Sequence, residues 1–325
     1  MNSRETILAL FDGQHPSSIP AFSGLTHVTA AGLEREGLSF HEVHCDAGQL
    51  ARAAASTFRL TRFPSAALPL DLCVEAEALG AEVDFRENGL YEFPRVAKPP
   101  YQTTSEVLKD LRGLGRIHLV CEAIAKVKTD IGAEAVIGGI LPGPFTLLLF
   151  LVESGALFTE MKRNSQTVHD ALIHLSTFIS QVGHAYRSAG ADFLTIHDMG
   201  GSPGFLGPKR FAEFVLPAQQ HLIAALPKPR VLSLCGNTNE VMHLLAESGA
   251  EAISVDQTNN LSASRAALPH TLLFGNLDPV ETLSRGNQAR VQAMAERVRA
   301  AGVDALWPGC DLYPPTPLEN LKALL

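Results

Sequence analysis

Short apolar runs alternate along this chain with longer stretches in which apolar residues recur every three or four positions. The runs are "IPAFS" (19–23), "AALPL" (66–70), "AVIGGI" (135–140), "DFLTIH" (192–197), "RVLSLC" (230–235), "AISVD" (252–256), "TLLFG" (271–275) and "DALWP" (304–308). Their length and unbroken apolar character fit strands covered on both faces, as in a parallel sheet. Stretches between them, such as "NEVMHLLAESGA" and "QARVQAMAERVRAAGV", set an apolar stripe against a polar face and predict amphipathic helices. Eight such strands separated by helices predict an α/β fold, a TIM (β/α)8 barrel, with residues 1–325 forming one domain. An open doubly wound sheet fits less well, because no G-x-G-x-x-G follows the first strand. The long helical segment after that strand predicts an N-terminal helical excursion over the barrel mouth, and "TPLENLKALL" predicts a closing helix.

In this fold the active site lies at the C-terminal ends of the strands. Those ends carry Ser23, Asp71, Pro142-Gly143-Pro144, His197-Asp198, Cys235-Gly236-Asn237, Asp256-Gln257, Asn276, Asp278 and Gly309-Cys310. Strand interiors are Val, Leu, Ile and Ala. Cys235 and Cys310 end the fifth and eighth predicted strands, so a closed barrel brings both to one mouth.

Charge and composition narrow the partners. Lys and Arg number 26 against 34 Asp and Glu, a net charge of −8 with no basic run, which argues against a nucleic-acid or anionic-membrane surface. The most apolar run, "IGGILPGPFTLLLFLV", is broken by Pro142, Gly143 and Pro144 and is too short on either side to span a bilayer. The N-terminus shows no signal-peptide core. Five scattered cysteines, Cys45, Cys73, Cys121, Cys235 and Cys310, suit a reducing, cytoplasmic setting better than a disulfide scaffold.

The stretches "RETILALFDGQHPSSIP", "LPLDLCVEAEALGAEVDF", "GPFTL", "LCGNT", "GNLDPVETL" and "PGCDLYPPTPLENLKAL" together resemble the uroporphyrinogen decarboxylase superfamily. They cover most of the chain in the family's order. "VEAEALG" and the last stretch resemble its methylcobalamin-dependent methyltransferase branch. The arginine-rich motif associated with the decarboxylases is not apparent in "HPSSIPAFSG". The resemblance implies transfer of a methyl group from methylcobalamin carried on a partner corrinoid protein. In the thiol-methylating members a His-x-Cys pair and the Cys of "PGC" hold zinc. Carried over, the cysteines are Cys235 and Cys310, and the histidine position is Ser233.

A catalytic zinc site normally has three protein ligands, and a neutral serine hydroxyl is a poor one. His197 or Asp198, on the same rim, is placed to substitute. The other reading of Cys235 and Cys310 is that they are small buried hydrophobes. A thiol acceptor reacts as thiolate and gains strongly from zinc. The N5 amine of tetrahydrofolate is already a neutral nucleophile. Loss of the histidine therefore predicts tetrahydrofolate or a related pterin as acceptor. Asp198, Asp256 and Asn276 are the expected catalytic groups along the pterin edge, and Asp71, His197, Asn237 and Gly143 the expected cofactor contacts. The alternative is a zinc-dependent thiol methyltransferase of the coenzyme M type, and less favoured are a uroporphyrinogen decarboxylase or a non-catalytic binder of a corrinoid protein. Asp278, before Pro279, reads as a helix N-cap.

Overall fold

The computed structural model describes residues 2–14, 16–109 and 115–325. Its strands are β1 (Ser65–Leu68), β2 (Glu82–Asp84), β3 (Arg95–Lys98), β4 (Val136–Pro142), β5 (Phe193–His197), β6 (Arg230–Leu234), β7 (Ala252–Val255), β8 (Leu272–Leu277) and β9 (Ala305–Pro308). Seven form one parallel sheet in the order β1-β4-β5-β6-β7-β8-β9, and β2 pairs antiparallel with β3. Strands β4 to β7, β1 and β9 are buried at every position, which is why they read as continuous apolar runs.

The predicted first strand is corrected. Residues 19–23 form a single parallel bridge, Ala21 to Leu306, with Leu306 N donating to Pro20 O at 2.9 Å. On the other side the Ser23 amide donates to the Ser65 side chain at 2.9 Å, not to a strand carbonyl. Pro20 has no N–H to give a ladder. The chain then dives inward at Gly24, where a Cβ would collide with Phe193, Thr195 and Trp307. This short segment closes the gap between β9 and β1, and the sheet curls into a TIM-type barrel. The β2–β3 hairpin, absent from the apolar pattern, is largely exposed and polar.

The bottom of the barrel is sealed by aromatic rings. Phe22, Phe193, Phe274 and Trp307 are fully buried in one cluster with Ile7 and Leu10 of the helix Ser3–Phe11. Phe11 of that helix lies 5.4 Å from Phe193 and 5.8 Å from Phe274. Its start is fixed by a reciprocal Asn2–Glu5 capping box. This plug closes that end of the barrel interior.

The N-terminal excursion contains helices Ala30–Glu36 and Ala47–Thr61, with a 3-10 turn Glu42–Cys45 between them. Asp46 caps the second helix at Gln49 N (2.7 Å), and its buried Leu50, Ala54 and Phe58 share one face. The segment meets the hairpin through Phe40, 5.3 Å from Phe93, and touches the mouth where His44 meets Asp71. Among the described residues no helix is long and apolar enough to cross a membrane.

Candidate active site

Parallel register sets His197 of β5 directly beside Ser233 of β6. The imidazole is buried, 1% exposed, with Nδ1 3.3 Å from Ser233 Oγ. Its Nε2 points to the mouth, 3.9 Å from Cys235 Sγ and 3.7 Å from Asp311 Oδ2. Cys235 follows β6 and Cys310 follows β9, with Cα atoms 6.2 Å apart. The two are joined as a disulfide. One donor atom each from His197, Cys235 and Cys310 falls within 4.8 Å of the others.

The donor chemistry fits a metal. Burial lowers the pKa of His197, only partly opposed by Asp311 and Asp198, so the ring is neutral near pH 7, the ligating form. One imidazole nitrogen and two cysteine sulfurs make a zinc-type set that leaves a fourth position open. Reduction to the thiols is required first, since the thiolate is the ligand. His197 thus brings an imidazole to the two cysteines from one strand away, and Ser233 Oγ lies on its far ring nitrogen, where an orienting partner of a metal ligand would sit.

The expected pterin-facing groups are committed elsewhere. Asp198 is fully buried; Oδ1 accepts from Thr146 N (3.0 Å) and Thr146 Oγ1 (2.7 Å), and Oδ2 from Gln219 Nε2 (2.9 Å). Burial raises its pKa and these bonds partly offset the rise. Gly143 packs against it so closely that a Cβ would overlap the carboxylate. Asp198 and Gly143 therefore lock the β4 and β5 ends together. Asp256 accepts from Gly236 N, Thr258 N and Thr258 Oγ1, which fixes the turn bearing Cys235. Asn276 donates to Asp256 O at 3.1 Å and Asn259 O at 3.2 Å. Both support the Cys235 turn. Asn237 is exposed and accepts from Asn239 N at 3.0 Å. Asp278 caps the helical segment Pro279–Ser284, as its sequence predicts.

Asp71, just past β1, centres a buried ion cluster. Arg116 Nη1 and Nη2 donate to it at 2.9 and 3.2 Å, and His44 Nδ1 lies 2.9 Å away. Burial alone would raise its pKa, but Arg116 and His44 overcome this and hold the carboxyl well below the usual range. Arg116 also pairs with Glu77 and lies over the Phe85 ring, 4.9 Å from its centroid. Nearby Glu75 is fully buried, receives Tyr186 OH at 3.3 Å and has no partner at Oε2. Burial, with the Asp71 charge adding, pushes its pKa up to about 8. A cavity of about 210 Å³ opens at the mouth, with Asp71 and Asp311 both on its walls.

Sequence reading missed His44, Arg116 and Asp311. Asp311 was discoverable as the neighbour of Cys310 in "PGCD". Arg116 carries no local signal, because its partners are far away in the chain.

The sequence profile of the uroporphyrinogen decarboxylase (URO-D) family matches residues 2–325. The chain belongs to the uroporphyrinogen decarboxylase family. Among its relatives in this family is the methylcobamide:CoM methyltransferase MtaA of Methanosarcina barkeri, 29% identical over 98% of this chain and 95% of that protein. MtbA of Methanosarcina acetivorans, also a methylcobamide:CoM methyltransferase, is 28% identical over 99% of this chain and 96% of its own. A solved methyltransferase from Methanosarcina mazei superposes with a TM-score of 0.94 at 28% identity, covering 100% of this chain and 97% of that one.

Proposed function

We propose that this family member is a methyltransferase that moves the methyl group of a methylcobamide, presented by a corrinoid protein, to the sulfur of a thiol. One observation carries the reading: His197, Cys235 and Cys310 converge within 4.8 Å at the open mouth. In the reduced protein these residues would hold zinc, which supplies the Lewis acidity that keeps an acceptor sulfur in its thiolate form near neutral pH.

The chain's own residues do the positioning. Ser233 Oγ, 3.3 Å from Nδ1, fixes the His197 ring so that Nε2 faces the sulfurs. Asp256 pins the Gly236 amide and so the height of Cys235 on the rim. The aromatic plug and apolar strand interiors keep water from reaching the site from below. The open mouth leaves the methyl carbon to approach in line. A carbon–sulfur bond forms, the cobalt–carbon bond breaks, and its electron pair leaves with cobalt, giving cob(I)alamin and a thioether. Orientation at the rim supplies the entropic part of the acceleration.

This reading replaces tetrahydrofolate as acceptor. That expectation rested on the lost histidine at 233, and His197 provides an imidazole at the same place. It also needed free carboxylates, and Asp198 and Asp256 are engaged. The relatives named above transfer to coenzyme M, a thiol. The test is to reduce the protein with a phosphine, load zinc, and supply free methylcobalamin with 2-mercaptoethanol or with tetrahydrofolate. Formation of cob(I)alamin with the thiol, abolished by a chelator, is the expected result. Chelator-insensitive turnover with tetrahydrofolate alone would contradict it.

A further inference from the structure

The relatives act on a thiol that carries a sulfonate, whereas the mouth of this barrel is built against an anion. The cavity beside the His197–Cys235–Cys310 rim has a volume of about 210 Å³. Its apolar walls include Leu72, Phe93, Ile140, Phe150 and Met199, and its charged lining is two carboxylates, Asp71 and Asp311. Among the described residues no Lys or Arg lines it. Asp311 joins the cavity to the site, because Oδ2 is 3.7 Å from His197 Nε2 while Oδ1 accepts from Thr26 N at 2.9 Å.

The cation behind the wall is already spent. Arg116 donates both Nη atoms to Asp71 and its Nε to Glu77. His44 Nδ1 is likewise held by Asp71 at 2.9 Å, so neither basic group behind the wall is free to meet a ligand's anion. A sulfonate or carboxylate tail placed in this cavity would lose its hydration, find no cation, and face Asp71 and Asp311 across low-dielectric walls. An alkyl tail would lose nothing comparable and would remove apolar surface from water. A tail ending in an ammonium would meet two acids.

Resting on the thiol reading above, we propose that the acceptor is a small thiol without an anionic group, its body held in this apolar, acid-walled cavity. The cavity sets selectivity through binding of the tail, and the reacting sulfur is handled by the same rim residues for every thiol.

The test compares four thiols on the reduced, zinc-loaded protein with free methylcobalamin, background rates subtracted. They are 1-propanethiol, 2-mercaptoethanol, 2-aminoethanethiol and 2-mercaptoethanesulfonate. The expected kcat/KM is at least about tenfold higher for each of the first three than for the sulfonate, the difference lying mainly in KM; tenfold corresponds to about 1.4 kcal/mol. Equal or better use of the sulfonate overturns the inference while leaving the thiol reading intact. Turnover of tetrahydrofolate and of no thiol overturns both. A variant tests the location. Met199 lines the cavity and is 39% exposed, so Met199→Lys is compatible with folding. It should narrow the preference by selectively lowering KM for the sulfonate. A folded Met199→Lys protein with an unchanged preference would show that the thiol body does not sit in this cavity.

Discussion

His197 and Ser233 show how an imidazole can reach a cysteine pair from the neighbouring strand. Neighbouring strands run about 4.8 Å apart, so a side chain one strand over reaches nearly the same point in space. Sequence reading follows positions along a chain and sees an unmatched serine at 233. It does not see that residue 197 lies laterally beside it in the sheet. The same lateral blindness hid the commitments of Asp198 and Asp256, whose partners Thr146, Gln219 and Gly236 are 52, 21 and 20 residues away. Glu75 gives a prediction at this scale. Its pKa rises on folding from the ordinary 4.5 to about 8, so its share of stability is complete below pH 4.5 and is lost as pH rises through about 8. Glu75→Gln, which cannot ionise, should keep that share. Melting temperatures measured across this range should show the variant gaining on the wild type as pH increases. Parallel curves would mean the carboxyl does not titrate in that window.

At the scale of elements, burial decided what was legible. All seven strands of the sheet lie within one or two residues of apolar runs in the sequence, because strands buried on both faces leave an unbroken hydrophobic record. "IPAFS" carries the same record but forms only a bridge, since Pro20 withholds an amide and Gly24 turns the chain into the barrel. The β2–β3 hairpin left no record because little of it is buried. The excursion was legible as helical, but its anchor was not: Asp71 joins residues 44 and 116, from two separate elements, at the end of β1. Asp71→Asn removes the charge from a buried pair and should lower unfolding free energy by about 3 kcal/mol near neutral pH. In the wild type this contribution is present above the ordinary carboxyl value of 3.8 and is lost as pH falls, because the folded-state pKa is depressed. Urea denaturation of both proteins measures it, and a loss near zero would mean that Glu77 alone satisfies Arg116.

Across the whole molecule, the fold directs chemistry to one end. The bottom is filled by Phe11, Phe22, Phe193, Phe274 and Trp307, and the mouth gathers the imidazole, the two cysteines and the acid-walled cavity. The barrel, the mouth and both cysteines were readable from strand-end residues. The proposed acceptor was not, because it turns on a third donor beside the two cysteines, and the candidate, His197, sits on a neighbouring strand. The most direct test of the account is the metal content and coordination of the reduced protein after zinc loading and dialysis, for the wild type and His197→Ala. The wild type should retain one equivalent of zinc, with X-ray absorption showing two sulfur ligands and one imidazole nitrogen, and His197→Ala should lose the imidazole signal and retain at least about tenfold less zinc. Zinc retained unchanged by His197→Ala, with the imidazole signal still present, would contradict the claim that His197 completes the site.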